Sequence, residues 1–406
     1  MRVIFVNRYY APDHSATSQM LTDLATALAP EFQIHVVTSR QRYDDPAASL
    51  PRYELNHLVS IDRVYATTFG RASLLGRALD YLSFYATAAL RLLHLARPGD
   101  VIVAKTDPPL ISVPAGWVAR LRGARLMNWL QDVFPEVAGQ LGLSIGSGFV
   151  GRTLRRLRNA SLRKAAINVV LGTQMADRVA AAGVPRERIQ VIHNWADGTA
   201  LQPMAPETNP LRTEWRLAER FVVGYSGNFG RVHEFHTMVG AAQELKAQPE
   251  IVFLLIGAGA QITMLEIAAR DQGLTNLAFK PYQPRSMLSQ SLGAADVHVV
   301  TLRPELEGLV VPSKFYGIAA VGRPTIFIGD KNGEIATIIG ETESGLCVAQ
   351  GDVKGLADAI VTLRGDPRLR ERMGRNARRA FELRFDKSIA VAAWRSLLHA
   401  AKQKSA

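Results

Sequence analysis

Short, mainly apolar runs alternate along the chain with longer segments in which apolar residues recur every three or four positions. In the first half the runs fall at 2–6, 33–38, 100–104, 125–130, 167–171 and 190–193. Apolar residues at successive positions, without a polar alternate, fit strands buried on both faces of a parallel sheet. Between them, 18–29, 74–96 and 174–182 carry helical periodicity, the last stopped by Gly183 and Pro185. A turn-rich stretch follows at 196–209, containing Asp197-Gly198, Pro203, Pro206 and Asn209-Pro210. The alternation then restarts, with strands predicted at 221–226, 251–256, 277–280, 297–301, 325–328 and 346–349. Beyond Asp352 every segment reads as helix.

Two successive βα series predict an α/β protein made of two Rossmann-like, doubly wound domains facing each other across a cleft. Their expected limits are 1–200 and 210–385, with 386–406 forming a final helix. In sheets of this kind ligands bind beyond the carboxyl ends of the strands. The segments following each strand are therefore where chemistry is expected.

Composition narrows the classes. The chain has 406 residues, 48% hydrophobic and 21% charged, which is enough to build two cores. A formal net charge of +12 calls for an anionic partner, whether phosphorylated substrate, acidic membrane surface or nucleic acid. No nucleic-acid-binding module is recognisable, so nucleic acid is not the expected partner. Cys347 is the single cysteine, which excludes an internal disulfide and fits a reducing compartment. The first apolar run is too short for a secretory signal. The apolar stretch 79–96 holds Asp80, Arg91 and His94, which argues against a membrane span. The expectation is a cytoplasmic protein that touches a membrane.

Candidate chemistry gathers after the strands of the second half. The predicted strand at 221–226 runs into Gly227-Asn228-Phe229-Gly230-Arg231. Glycines let backbone N–H groups approach phosphate oxygens, and a guanidinium supplies planar donors. The plainer alternative is a tight turn with a solvated arginine. A second segment is Glu307-Gly308-Leu309-Val310-Val311-Pro312-Ser313-Lys314, where Ser313 is placed to cap a helix ended by Gly322. Lys314 in the first turn opposes the helix dipole unless an anion lies between them. The turn containing Gly257 and Gly259 lacks a third glycine and is weak evidence alone. No glycine follows the first strand, which argues against a nicotinamide or flavin site there.

In the first half, Asp132 follows a strand and could orient or deprotonate an acceptor hydroxyl, or simply satisfy loop amides. Tyr10, Asp13, His14 and His193 are further residues at strand ends. The segment 149–166 contains Arg152, Arg155, Arg156, Arg158, Arg163 and Lys164 and no acid. It reads as an amphipathic helix suited to anionic lipid headgroups, or else as the solvated face of an ordinary helix.

Together these segments resemble the group 1 (family 4) glycosyltransferases of GT-B fold, particularly bacterial enzymes of exopolysaccharide and O-antigen assembly. The resemblance spans nearly the whole chain. It is carried by Tyr9-Tyr10-Ala11-Pro12, Gln131-Asp132-Val133-Phe134-Pro135-Glu136, Ile192-His193-Asn194-Trp195, Tyr225 to His233, Ala295-Asp296-Val297, and Pro312-Ser313-Lys314 running to Gly322-Arg323-Pro324. It implies retaining transfer from a nucleotide-diphosphate sugar, UDP-linked, to a polyprenyl-diphosphate-linked saccharide at the inner membrane face. It implies no cofactor and no metal, and a last helix crossing back to the first domain.

On this reading Arg231, Lys314 and Asp132 are catalytic. Gly227, Asn228, Gly230, His233, Gly257, Glu307 and Ser313 bind the donor, and Tyr10 and His14 the acceptor. The family's usual diphosphate Arg and Lys fall on Asn228 and His233. Its two glutamates, eight positions apart, fall on Leu309 and Gly317. A nucleotide-sugar epimerase and a non-catalytic nucleotide-sugar or membrane-binding scaffold are the alternative readings.

Overall fold

The computed structural model describes every residue except His14, Tyr43, Asp44, Pro46, Ala47, Ala48, Arg71, Ala72, Ser73, Lys404, Ser405 and Ala406, and the side chain of Leu74. The chain divides into two compact units, residues 1–193 with 391–406, and residues 194–390.

Unit 1 is built on β1 (Arg2–Val6), β2 (Gln33–Ser39), β3 (Tyr53–Asn56), β4 (Val59–Val64), β5 (Val101–Lys105), β6 (Arg125–Trp129), β7 (Ile167–Val170) and β8 (Ile189–Val191). Their order is β3-β4-β2-β1-β5-β6-β7-β8, parallel except for β3 against β4. The order reverses between β1 and β5, so the loops after these strands lie at a topological switch point. Val3 to Val6 are all fully buried, which is why β1 carries no polar alternate.

Hairpin β3–β4 is absent from the sequence reading, and its turn explains why. His57 and Leu58 adopt positive φ angles of 47° and 65° without any glycine or proline to announce them. Strand β4 also carries Asp62 and Arg63, which the fold buries with partners. Arg63 reaches Glu54 at 2.7 Å and the Ala11 carbonyl at 2.8 Å, and Asp62 is held by Arg91 at 2.6 Å.

Residues 391–403 complete unit 1. Trp394 is fully buried in an edge contact with Trp129, centroids 5.0 Å apart, and lies 6.5 Å from Phe5. Arg395 pairs with Glu31 at 2.9 Å, and Arg125 donates to the Ala401 carbonyl.

Unit 2 is built on β9 (Phe221–Asn228), β10 (Ile251–Ala258), β11 (Leu277–Lys280), β12 (Val297–Thr301), β13 (Thr325–Ile328) and β14 (Gly345–Val348). The order β11-β10-β9-β12-β13-β14 is wholly parallel and is the doubly wound 3-2-1-4-5-6 arrangement, with its switch point between β9 and β12. Alternate residues of β9 feed opposite cores. Phe221, Val223 and Tyr225 pack with Met238, Leu356 and Ile360, whereas Val222 packs with Leu254, Ala294 and Ala295.

The turn-rich stretch after residue 195 belongs to unit 2 and is tied down. Gly198 N donates to Asp386 at 3.0 Å, Lys387 pairs with Asp197, and Arg378 donates to the Leu201 carbonyl at 3.0 Å. Beneath it Arg212 and Asp296 form a buried pair at 3.1 Å, and Asp296 also accepts from Val222 N at 2.8 Å.

Candidate active site

Beside the switch point of unit 2, β9 and β10 end side by side with Gly227 opposite Gly257. Both glycines hold backbone that other residues avoid, with φ of +130° and +138°. A Cβ on Gly257 would stand 2.0 Å from the Gly227 carbonyl oxygen. A Cβ on Gly227 would stand 2.7 Å from Lys314 Cε. Gly259 completes the set, since a Cβ there would lie 2.6 Å from Phe229 N. The glycines bring the ends of both strands together and make room for the lysine stem beneath.

Lys314 opens the helix Lys314–Ala320, and its side chain is half-buried against Gly227. The ammonium lies 2.8 Å from His233 Nε2 and 5.1 Å from the Tyr225 ring centroid. It forms no ion pair among the described residues, and burial pulls its pKa down to about 7. An ammonium without a carboxylate, at the end of a parallel sheet, is chemically suited to receiving an anion. Arg231 lies on the loop just beyond and is exposed. Asn228 is also exposed, while its carbonyl accepts from the Tyr225 hydroxyl at 2.9 Å. Gly230 lies against the Asn228 amide, 3.3 Å from where its own Cβ would be.

The structure places three of the expected donor-site residues differently from one another. His233 does not face solvent. It is 7% exposed, with Nδ1 on the Thr301 carbonyl at 2.6 Å and Nε2 on Lys314. Glu307 is 6% exposed and turned toward the start of the helix Glu334–Thr342, accepting from Glu334 N at 3.3 Å. That helix is preceded by Gly333, which has no side chain to cap it, so Glu307 takes the capping position; burial raises its pKa to about 7. Ser313 already has helical backbone angles and makes no side-chain cap, leaving it exposed in front of Lys314.

In unit 1, Asp132 follows β6 and lines a cavity of about 30 Å³ together with Lys105, Thr106, Asn128 and Arg158. That volume suits one water. Burial, then the Asp107 carboxylate, raises the Asp132 pKa to about 6. Lys105, the last residue of β5, is missing from the sequence expectations. It is 1% exposed, donates to the Thr17 carbonyl at 2.8 Å and lies 3.8 Å from the Trp129 ring centroid. Tyr10, expected on the acceptor, is instead an interior residue at 4% exposure. Burial raises its pKa, against hydrogen bonding from Thr22 and Thr26. His14 lies outside the described residues. His193 Nδ1 lies 2.9 Å from the Leu171 carbonyl.

The basic segment forms the helix Gly148–Lys164, but not all of its cations are free. Glu136, from outside the helix, holds Arg158 at 2.7 Å and Arg155 at 3.1 Å. Arg152, Arg156, Arg163 and Lys164 are exposed. Phe149, Val150 and Leu157 are exposed beside them, as are Trp117 and Leu121 on the adjoining helix Ser112–Arg122. Among the described residues no helix is long and apolar enough to cross a membrane.

Two doubly wound parallel-sheet units, with a glycine-lined cation at one switch point, define a protein of GT-B fold. Comparison with known proteins gives the family. Residues 209–380 match the glycosyl transferases group 1 family and residues 15–195 the glycosyl transferase 4-like domain, so the two halves together mark a glycosyltransferase of GT-B fold. A probable glycosyltransferase, WbjE of Pseudomonas aeruginosa, is 29% identical over 71% of this chain and 72% of its own. A putative colanic acid biosynthesis glycosyl transferase, WcaI of Escherichia coli, is 25% identical over 89% of this chain and 91% of its own. Among solved structures, HepE of Anabaena in complex with UDP and glucose superposes with a TM-score of 0.76 at 17% identity, covering 98% of this chain and all of that one. The chain is a glycosyltransferase.

Proposed function

We propose that the protein transfers a glycosyl group, with retention, from a UDP-sugar to a polyprenyl-diphosphate-linked saccharide at the cytoplasmic face of the membrane. The observation that carries this is the Lys314 ammonium, held beside Gly227 without a carboxylate. Breaking the sugar–phosphate bond builds negative charge on the leaving diphosphate. Lys314 and Arg231 meet that charge more strongly in the transition state than in the ground state, and no metal ion enters the step. The Gly227-Asn228 and Gly257 backbone and Ser313 line the donor, while unit 1 carries the acceptor with Asp132 acting on its hydroxyl. The relatives' names support a polysaccharide acceptor, and the UDP held by HepE supports the donor nucleotide.

The test is transfer of label from a panel of UDP-sugars into solvent-extractable lipid-linked saccharide. Arg231→Ala should cut that transfer about 10²-fold, the size of effect expected when one charge-stabilising donor is lost. Because Arg231 is exposed, its thermal unfolding should be unchanged. Wild-type transfer rates in the variant would remove Arg231 from the reaction. Donor epimerised without any acceptor would favour the epimerase reading.

Membrane attachment has its own test. Arg152, Arg156 and Lys164 flank the exposed Phe149, Val150 and Leu157, which suits a helix lying in an anionic interface. Each cation near such a surface contributes about 1 kcal/mol. Reversing all three to Glu should therefore weaken co-sedimentation with anionic vesicles by about 100-fold or more, and neutral vesicles should be unaffected. Arg155 and Arg158 are unsuitable for this purpose, because reversal would also break the contacts with Glu136.

A further inference from the structure

His233 has both ring nitrogens committed, in a way that fixes their roles. Nδ1 faces the Thr301 carbonyl at 2.6 Å and so must carry the proton. In the neutral ring Nε2 is then an acceptor, and the Lys314 ammonium at 2.8 Å donates to it. Burial, reinforced by Lys314, holds the ring's pKa at about 3, so the acceptor persists at any working pH.

The ring is itself clamped. His233 N donates to the Gly230 carbonyl at 3.1 Å, and Gln261 Nε2 donates to the Gly230 and His233 carbonyls at 2.7 and 3.2 Å. Glu234 N donates to Thr301 Oγ1 at 3.0 Å, and Tyr225 meets the ring edge-on with centroids 6.0 Å apart. The carbonyl at the end of β12 thus fixes the imidazole, and the imidazole fixes the lysine that opens the next helix.

We propose that His233 is a positioning residue: it never touches the donor but orients the Lys314 ammonium, through Nε2, toward a diphosphate seated at Gly227 and Asn228. This rests on the nucleotide-sugar reading above. A lysine has a long, flexible stem, and a point charge placed an ångström off loses much of its effect. With one N–H given to His233 and the stem against Gly227, the two other N–H groups have restricted directions. His233 and Tyr225 are the titratable groups in contact with the ammonium, and neither brings a negative charge near neutral pH.

Two substitutions separate this role from simple core packing. His233→Asn can keep the donor to Thr301, since the amide nitrogen falls near Nδ1, but it does not reach Lys314. His233→Gln places its amide oxygen near Nε2 and can accept from Lys314. UDP binding by calorimetry and the donor KM should worsen about 10–100-fold in His233→Asn, the range for losing one hydrogen bond to a charged group. They should recover in His233→Gln. The pH at which UDP affinity begins to fall should also shift downward in His233→Asn, because the ammonium loses its acceptor. Wild-type UDP affinity and pH profile in a folded His233→Asn would overturn the positioning role alone. Failure of the unaltered protein to bind UDP would overturn the nucleotide-sugar reading and the positioning role with it.

Discussion

Lys314→Met should lower glycosyl transfer by about 10²–10³-fold while leaving the protein folded. Methionine keeps an unbranched stem against Gly227 and removes the charge and the hydrogen bond to His233. Stability should move in the opposite direction to activity. Burial lowers the lysine's pKa from 10.5 to about 7, so between those values the unfolded chain binds more protons than the folded one. Folding stability from this group therefore rises with pH through that window, and the charged lysine is a burden below it. Substitution should thus raise the melting temperature at pH 6 and change it little at pH 10. Donor affinity has the reverse sign, since the diphosphate needs the charged form. UDP binding by the unaltered protein should weaken as pH rises above about 7, and that dependence should vanish in Lys314→Met. Full activity in the variant, or a UDP affinity flat with pH in the unaltered protein, would exclude Lys314 as the diphosphate cation.

The second large effect is expected at Gly257→Ala. A φ of +138° costs a residue with a Cβ about 1–3 kcal/mol from backbone strain alone. The methyl would also overlap the Gly227 carbonyl oxygen at 2.0 Å, and packing overlap adds about 1–3 kcal/mol. Each kcal/mol lowers the melting temperature by roughly 2–4 °C in a unit of this size. UDP binding should be lost even where the variant folds. Gly340→Ala is the control. Gly340 lies in the helix Glu334–Thr342 with nothing within 4 Å of its Cβ position, and the change should stabilise by about 1 kcal/mol. Equal melting temperatures and equal UDP binding in the two variants would contradict the packing described at Gly257.

The strands of both sheets were legible because buried parallel strands must be apolar at successive positions, and that pattern is local. Hairpin β3–β4 was not legible, since its turn rests on positive φ at His57 and Leu58 and its buried charges find partners far along the chain. The same distinction governs the site. Glycines and cations after strands can be found by position. What Lys314 touches is set by residue 233, 81 positions away. Glu307 looked available to a donor sugar because sequence does not show that Gly333 leaves a helix uncapped. The burial of Tyr10, expected on the acceptor, is not legible because its contacts with Thr22 and Thr26 depend on where the helix Ala16–Leu28 lies.

The burial of Trp394 has a consequence for biosynthesis. Unit 2 is one continuous stretch of chain, whereas unit 1 is interrupted, and its core around Trp129 and Phe5 is finished only by residues beyond 390. On a ribosome, where domains form as their chain emerges, unit 2 can close while the sheet of unit 1 still exposes apolar surface where Trp394 will dock. The half of the molecule made first is the half completed last.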